Sequence, residues 1–289
     1  MKPAIHLLIV DPQNDFCDLP PAWCPADPLT GTALAPALPV AGAHADLLRV
    51  AGLIRAAGPA LAGITVTLDS HQRLDIAHPG FWQRGDGGAV APFTPITASE
   101  VRAGVFRPRD GAALVRTLAY LDELEARGRY TLMVWPVHCE IGTWGHDVHA
   151  AVRAAYGEWE ERTLRSVRKV TKGENPWTEH YSAVQAEVPM EDDPRTQLDT
   201  ALLAELDRAD WLLVAGEAGS HCVRATTEHI AANLPGGRPE RIVLLTDCMS
   251  PVGGFEAAQA AFLEDMRRLG VRLADAGTVL ARLHAPVVH

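Results

Sequence analysis

Basic residues are in deficit: 26 Lys plus Arg stand against 36 Asp plus Glu, a formal charge of -10. No long basic run relieves that balance, so neither nucleic acid nor an anionic membrane is expected as a partner. Long apolar runs are also missing. No stretch approaches the roughly 18 consecutive apolar residues that a transmembrane helix needs. The one segment with the flavour of a signal peptide, residues 4–10, contains His6 and runs into Asp11-Pro12 without a small-residue cleavage site, so it reads as a buried strand. Cysteines number only five, Cys17, Cys24, Cys139, Cys222 and Cys248. They are odd in number, widely spaced and form no CxxC pair, which excludes a disulfide framework or a cysteine-rich zinc motif and points to a reducing cytoplasm.

What is present is apolar material for a core. With 47% hydrophobic and 21% charged residues in 289, collagen, coiled coil and wholesale disorder are excluded. Short β-rich runs at 5–10, 63–68, 130–134, 166–171, 211–215 and 241–246 alternate with helical patterns at 46–57, 110–127, 148–159, 197–208 and 255–269. The helix over 197–208 is expected to open at Thr196, with Asp199 three residues on. The strands are continuously apolar more often than alternating, which favours burial on both faces. The expectation is an α/β fold, a three-layer αβα sandwich around a mostly parallel six-stranded sheet. Segments 19–39, 79–108 and 173–194 fit no element and are rich in Pro, Gly and polar residues; loops of that length are usually functional or disordered. None separates two independent sets of elements, so a single domain over 1–289 is expected, with these three as loop insertions.

In a parallel α/β sheet ligands bind beyond the carboxyl ends of the strands. The residues just past the ends of the runs are Asp11, Asp69 with His71, His138, Lys172 and Cys222. Cys222 is the candidate nucleophile: it opens a helical pattern, where the dipole is expected to lower its pKa and free N–H groups can form an oxyanion hole. Asp11 and Lys172 on neighbouring strand ends can pair and handle a thiol proton. Asp69-Ser70-His71 offers two ligands at i and i+2, and His138 a third, with His78 as a fourth; a carboxylate with imidazoles suits zinc, with iron or manganese as alternatives. Taken singly, each of these residues has an ordinary structural role available to it. The other four cysteines read as packing or pocket-wall residues.

These residues sit in motifs that resemble the nicotinamidase/pyrazinamidase branch of the isochorismatase-like cysteine hydrolases. The matching pieces are Leu7-Leu8-Ile9-Val10-Asp11-Pro12-Gln13-Asn14-Asp15-Phe16-Cys17, Thr67-Leu68-Asp69-Ser70-His71, Trp135-Pro136-Val137-His138-Cys139-Glu140-Ile141-Gly142-Thr143, Thr171-Lys172-Gly173 with Tyr181-Ser182-Ala183, and Ala215-Gly216-Glu217-Ala218-Gly219-Ser220-His221-Cys222-Val223-Arg224-Ala225-Thr226. The resemblance implies Asp11 as general base, Lys172 as its positive partner and Cys222 as nucleophile. It further implies Asp69, His71 and His138 as holders of the metal, Phe16 and Trp135 as walls around the substrate ring, and a cis Glu217–Ala218 bond beside an oxyanion hole at Ala218 and Cys222. The activity implied is hydrolysis of nicotinamide to nicotinate and ammonia through a thioester on Cys222, within NAD salvage. The partner is then a small-molecule amide. A homo-oligomer is an expectation from family habit, since dimers are the commonest symmetric state and no interface stripe stands out.

Three departures from the family pattern bear on the substrate: His78 lies seven residues after His71, Glu217 puts a carboxylate where a small or apolar residue is usual, and the 79–108 and 173–194 segments are long. Two alternatives stand beside the amidase: a related amidohydrolase for another small amide or carbamoyl compound, and a non-catalytic metal-stabilised scaffold.

Overall fold

The computed structural model describes residues 3–284. In chain order the strands are β1 (Ile5–Val10), β2 (Leu61–Asp69), β3 (Trp82–Arg84), β4 (Thr94–Ile96), β5 (Phe106–Pro108), β6 (Leu132–Val134), β7 (Arg168–Lys172), β8 (Trp211–Gly216), β9 (Ile242–Leu245) and β10 (Arg272–Ala274). The helices are α1 (Ala43–Ala57), α2 (Ala98–Arg102), α3 (Leu114–Arg127), α4 (Ala150–Thr163), α5 (Thr200–Leu206), α6 (Cys222–Asn233), α7 (Glu256–Arg268) and α8 (Ala276–His284). Six strands form one sheet in the order β10-β9-β8-β1-β2-β7, every neighbour parallel.

The apolar run of β1 explains its place at the centre. All six residues are buried, and the period-two alternation of a strand sends them to opposite faces. Leu8 and Val10 join Leu202 and Leu206 of α5, Val223 and Ile230 of α6 and Phe262 of α7. Leu7 and Ile9 join Leu47 and Ile54 of α1, Val152 and Trp159 of α4 and Val279 of α8. The result is the expected αβα sandwich, with an apolar core on each side of the sheet.

Three expectations are corrected. Of the run at 130–134, only Leu132–Val134 is a strand, and it pairs antiparallel with β4 outside the central sheet. The sixth place belongs to β10, whose three residues are too few to leave a periodic trace. The 79–108 segment is not a bare loop either: it holds β3, β4, α2 and β5 and packs a third core in which Phe81, Trp82 and Val101 meet Leu121 and Leu132. Its helix carries a capping box, with Thr97 accepting from the Glu100 N–H and Glu100 accepting from the Thr97 N–H. That Thr-x-x-Glu signature was readable in the sequence. The α5 helix is capped by Asp199, whose side chain accepts from the Leu202 N–H at 2.8 Å, one turn later than the Thr196 expected. By contrast, 19–39 and 173–194 contain no strand of the sheet and no α-helix; a short 3-10 turn stands at Pro21–Trp23, and another, Pro194–Thr196, begins at the end of the second segment.

Candidate active site

The strand order decides the site. Because β8, β1, β2 and β7 are consecutive neighbours, their carboxyl ends bring Cys222, Asp11, Asp69 and Lys172 together. Asp11 follows β1 at φ +42°, a left-handed conformation that non-glycine residues adopt rarely. Its amide donates to Thr67 Oγ1 at 3.0 Å, and the same hydroxyl donates back to Asp11 Oδ1. Gln13 locks the next strand end: its side-chain amide donates to the Asp69 carbonyl and accepts from the Asp69 N–H, both at 2.8 Å. At the end of β8, Gly216 has φ +117°, and a Cβ there would stand 2.0 Å from the Val10 carbonyl oxygen. Only glycine lets the chain turn there toward Cys222.

Lys172 is the hub. Its Nζ is 2.8 Å from Asp11 Oδ2, 2.9 Å from Asp69 Oδ1 and 3.6 Å from Cys222 Sγ. Burial disfavours its charge, but Asp11 and Asp69 outweigh that and hold the ammonium well above its ordinary pKa. For Asp69, burial is overcome by His71 and Lys172, which keep it well below the carboxylate range. Asp11 goes the other way, raised by burial against the pull of Lys172. Burial also pushes the Cys222 thiol well up, Lys172 opposes, and the two carboxylates add to the rise. The expectation that the helix N-terminus lowers the Cys222 pKa is therefore corrected in direction. A dipole effect of about 1 kcal/mol is smaller than the cost of a buried anion beside two carboxylates.

The histidines cluster on the other side of Asp69. One nitrogen from each of His71, His78 and His138 lies within 4.8 Å of the others, and all three are buried. Asp69 Oδ2 faces His71 Nε2 at 3.1 Å and His138 Nε2 at 3.3 Å. The outer nitrogens are spoken for: His78 Nδ1 meets the Gln72 carbonyl at 3.2 Å, His138 Nδ1 the Pro136 carbonyl at 2.8 Å, and His71 Nδ1 the Asp75 carboxylate at 3.1 Å. Carbonyl and carboxylate oxygens only accept, so these Nδ1 atoms are the donors, and the Nε2 atoms are left turned inward, those of His71 and His138 toward Asp69 and that of His78 toward His138 Nδ1 at 3.4 Å. Three imidazoles and one carboxylate oriented this way fit zinc or a similar divalent ion. His78, the fourth candidate, is in the cluster.

Phe16 and Trp135 line a cavity of about 20 Å³ with Asp69, His138, Ala218 and Cys222, room for about one water molecule. Larger clefts of about 660 Å³ at Phe81 and Trp177 and about 520 Å³ at Arg84 and Phe106 hold none of the strand-end residues. Chemistry rather than volume marks the site. The Glu217–Ala218 bond is cis. Among the described residues, the N–H groups of Ala218 and Cys222 have no hydrogen-bond acceptor.

Residues that the strand-end reading passed over complete the surroundings. Thr67 and Gln13 hold Asp11 and Asp69. Asp75 orients His71, and a carboxylate four residues after that histidine was a readable signal. Asp15 accepts from the Cys139 N–H at 2.7 Å and the Ala37 N–H at 2.9 Å, tying the Cys139 turn beside His138 to the end of the 19–39 segment. Glu179, Tyr181 and His221 also line the cavity, and Tyr181 Oη accepts from Trp135 Nε1 at 3.0 Å.

The fold is similar to that of solved hydrolases of low sequence identity. One is a yeast nicotinamidase bound to nicotinaldehyde, with 19% identity, TM-score 0.60 and 94% of this chain and 99% of that one covered. An Acinetobacter baumanii nicotinamidase/pyrazinamidase gives 17% identity, TM-score 0.59 and coverages of 95% and 97%. A Pyrococcus horikoshii pyrazinamidase in complex with zinc gives 19%, 0.51, 94% and 99%. No family model and no curated protein matches the sequence. Among the described residues no helix is long and apolar enough to cross a membrane.

Proposed function

We propose that the protein is a metal-dependent cysteine amidase acting on a small carboxamide, with nicotinamide to nicotinate and ammonia as the specific reaction. One observation carries the reading: a single buried ammonium, Lys172 Nζ, contacts Asp11, Asp69 and the Cys222 sulfur together. The relatives in fold, which include nicotinamidases and a zinc-bound pyrazinamidase, support it.

Asp11, raised by burial, takes the Cys222 proton as the sulfur attacks the amide carbonyl, and Lys172 stabilises the developing negative charge. The carbonyl oxygen becomes an oxyanion against the Ala218 and Cys222 N–H groups. Asp11 returns the proton to the amide nitrogen, the C–N bond breaks, ammonia leaves and a thioester remains on Cys222. Asp11 then accepts a proton from water as its oxygen attacks the thioester; collapse releases the carboxylic acid and restores the thiol. Asp69, His71, His78 and His138 would hold the metal, which when bound supplies a Lewis-acid anchor for a ring nitrogen. Phe16 and Trp135 flank the ring.

Ammonia release from nicotinamide and pyrazinamide, measured on the zinc-loaded wild type and on Cys222→Ala, tests the proposal. Turnover by the wild type alone is expected. Turnover that survives in the variant removes the nucleophile, and none in the wild type removes the substrate.

A further inference from the structure

Glu217 is the residue that departs most from the pattern of the site, and the chemistry above gives it no task. Its side chain is fully buried, and it begins the turn that carries Ala218 and leads to Cys222. Its Oε2 accepts from the Ser250 N–H at 3.2 Å, while Oε1 has no hydrogen-bond partner among the described residues. After burial, the Asp46 carboxylate of α1 is the neighbour that most raises the Glu217 pKa. Asp46 already has Arg49 as charge partner and accepts from the Ser250 hydroxyl at 2.5 Å. Both carboxyl groups therefore hold Ser250, and Glu217 is the buried one without a cation beside it.

The same two turns are stitched elsewhere. The Gly219 N–H donates to the Ser250 carbonyl at 2.8 Å, and the Val252 N–H donates to Ser220 Oγ at 3.0 Å. Ser250 is thus gripped from three sides, by Glu217, by Asp46 and by Gly219. Burial, reinforced by Asp46, lifts the Glu217 carboxyl well above the ordinary range. The other charged or titratable groups facing this spot are Asp18 and Cys17 beyond β1, Arg49 on α1 and Asp247 beyond β9, whose carbonyl accepts from Arg49 Nε.

We propose that Glu217 is a positioning residue: as a neutral acid it donates to Asp46 and accepts from Ser250, and this clamp fixes where the Ala218 N–H points. The inference rests on the amidase reading for its kinetic arm only. A donor that matters in the transition state shows in kcat rather than KM, and removing an oxyanion donor outright costs roughly 10²- to 10³-fold.

The experiment compares Glu217→Gln, which can donate and accept as the neutral acid does, with Glu217→Val. Glu217→Gln should keep kcat on nicotinamide within about threefold, and Glu217→Val should lose at least about tenfold in kcat with KM little changed. In thermal unfolding, wild-type Tm should fall more steeply toward alkaline pH than that of Glu217→Gln, because only the wild type resists losing a proton there. A Glu217→Val enzyme with wild-type kcat, a Glu217→Gln enzyme as slow as Glu217→Val, or identical Tm profiles for wild type and Glu217→Gln would each overturn the clamp. If the wild type releases no ammonia at all, the amidase reading fails, and the Tm comparison still decides on Glu217.

Discussion

Asp69 faces two ways: Oδ1 lies 2.9 Å from Lys172 Nζ, and Oδ2 lies 3.1 Å from His71 Nε2. One carboxylate therefore joins the charge network of the cysteine to the histidine cluster. Substituting Asp69→Asn should cut both metal content and kcat, whereas Lys172→Met should cut kcat and leave metal content close to one per chain. Metal analysis beside kinetics separates the two, and an Asp69→Asn protein that retains full metal contradicts the shared role.

Asp75 lies behind the cluster, accepting from His71 Nδ1. Partners of this kind orient the ligand and typically contribute 10- to 100-fold in affinity. Asp75→Asn should weaken zinc binding by about that factor in a competition titration against a chromogenic chelator. Unchanged affinity would contradict Asp75 as the group that orients His71 for the metal.

In the proposed mechanism Asp11 sets the pH dependence of kcat/KM. Its folded pKa is raised by burial, and the reaction needs its ionised form, so activity should fall with decreasing pH already above the ordinary carboxylate range. Lys172, held well above its usual value, stays charged and adds no alkaline limb near neutrality. An acid limb at or below pH 4 would remove Asp11 as the base.

Stability has a separate pH signature. Glu187 is buried, and burial moves its carboxyl up from 4.5 to about 7 despite Arg129. Between those values the folded state holds a proton that the unfolded state has lost, so the contribution to stability declines as pH rises through that window and is fully lost above it. Glu187→Gln should therefore gain stability over the wild type on going from pH 5 to pH 8, by on the order of 3 kcal/mol at most. Urea unfolding at the two pH values checks it; equal changes in both proteins would contradict it.

The central sheet was legible because β1, β2, β8 and β9 are apolar runs long enough to show burial on both faces. The site was legible for a related reason: residues that stand far apart along the chain, each just past the end of a strand, are gathered into one cluster by the strand order. What escaped the sequence depended on contacts remote along the chain. Gln13 and Thr67 act only because β1 pairs with β2, and β10 is three residues that acquire meaning beside β9. The direction of the Cys222 shift was misread because a local cue, the helix start, was visible, whereas the two carboxylates and the burial that oppose it arrive from β1, β2 and the packed turn. In the 79–108 segment the Thr97–Glu100 cap was present but obscured by Pro and Gly on either side.

The covalent intermediate is the central claim, and it can be weighed directly. Zinc-loaded protein mixed with nicotinamide, quenched in acid during turnover and examined by intact mass and peptide mapping, should carry one nicotinoyl group on the peptide containing Cys222, and Cys222→Ala should carry none. Turnover with Cys222 unmodified under single-turnover conditions, or acylation at another residue, would contradict the account.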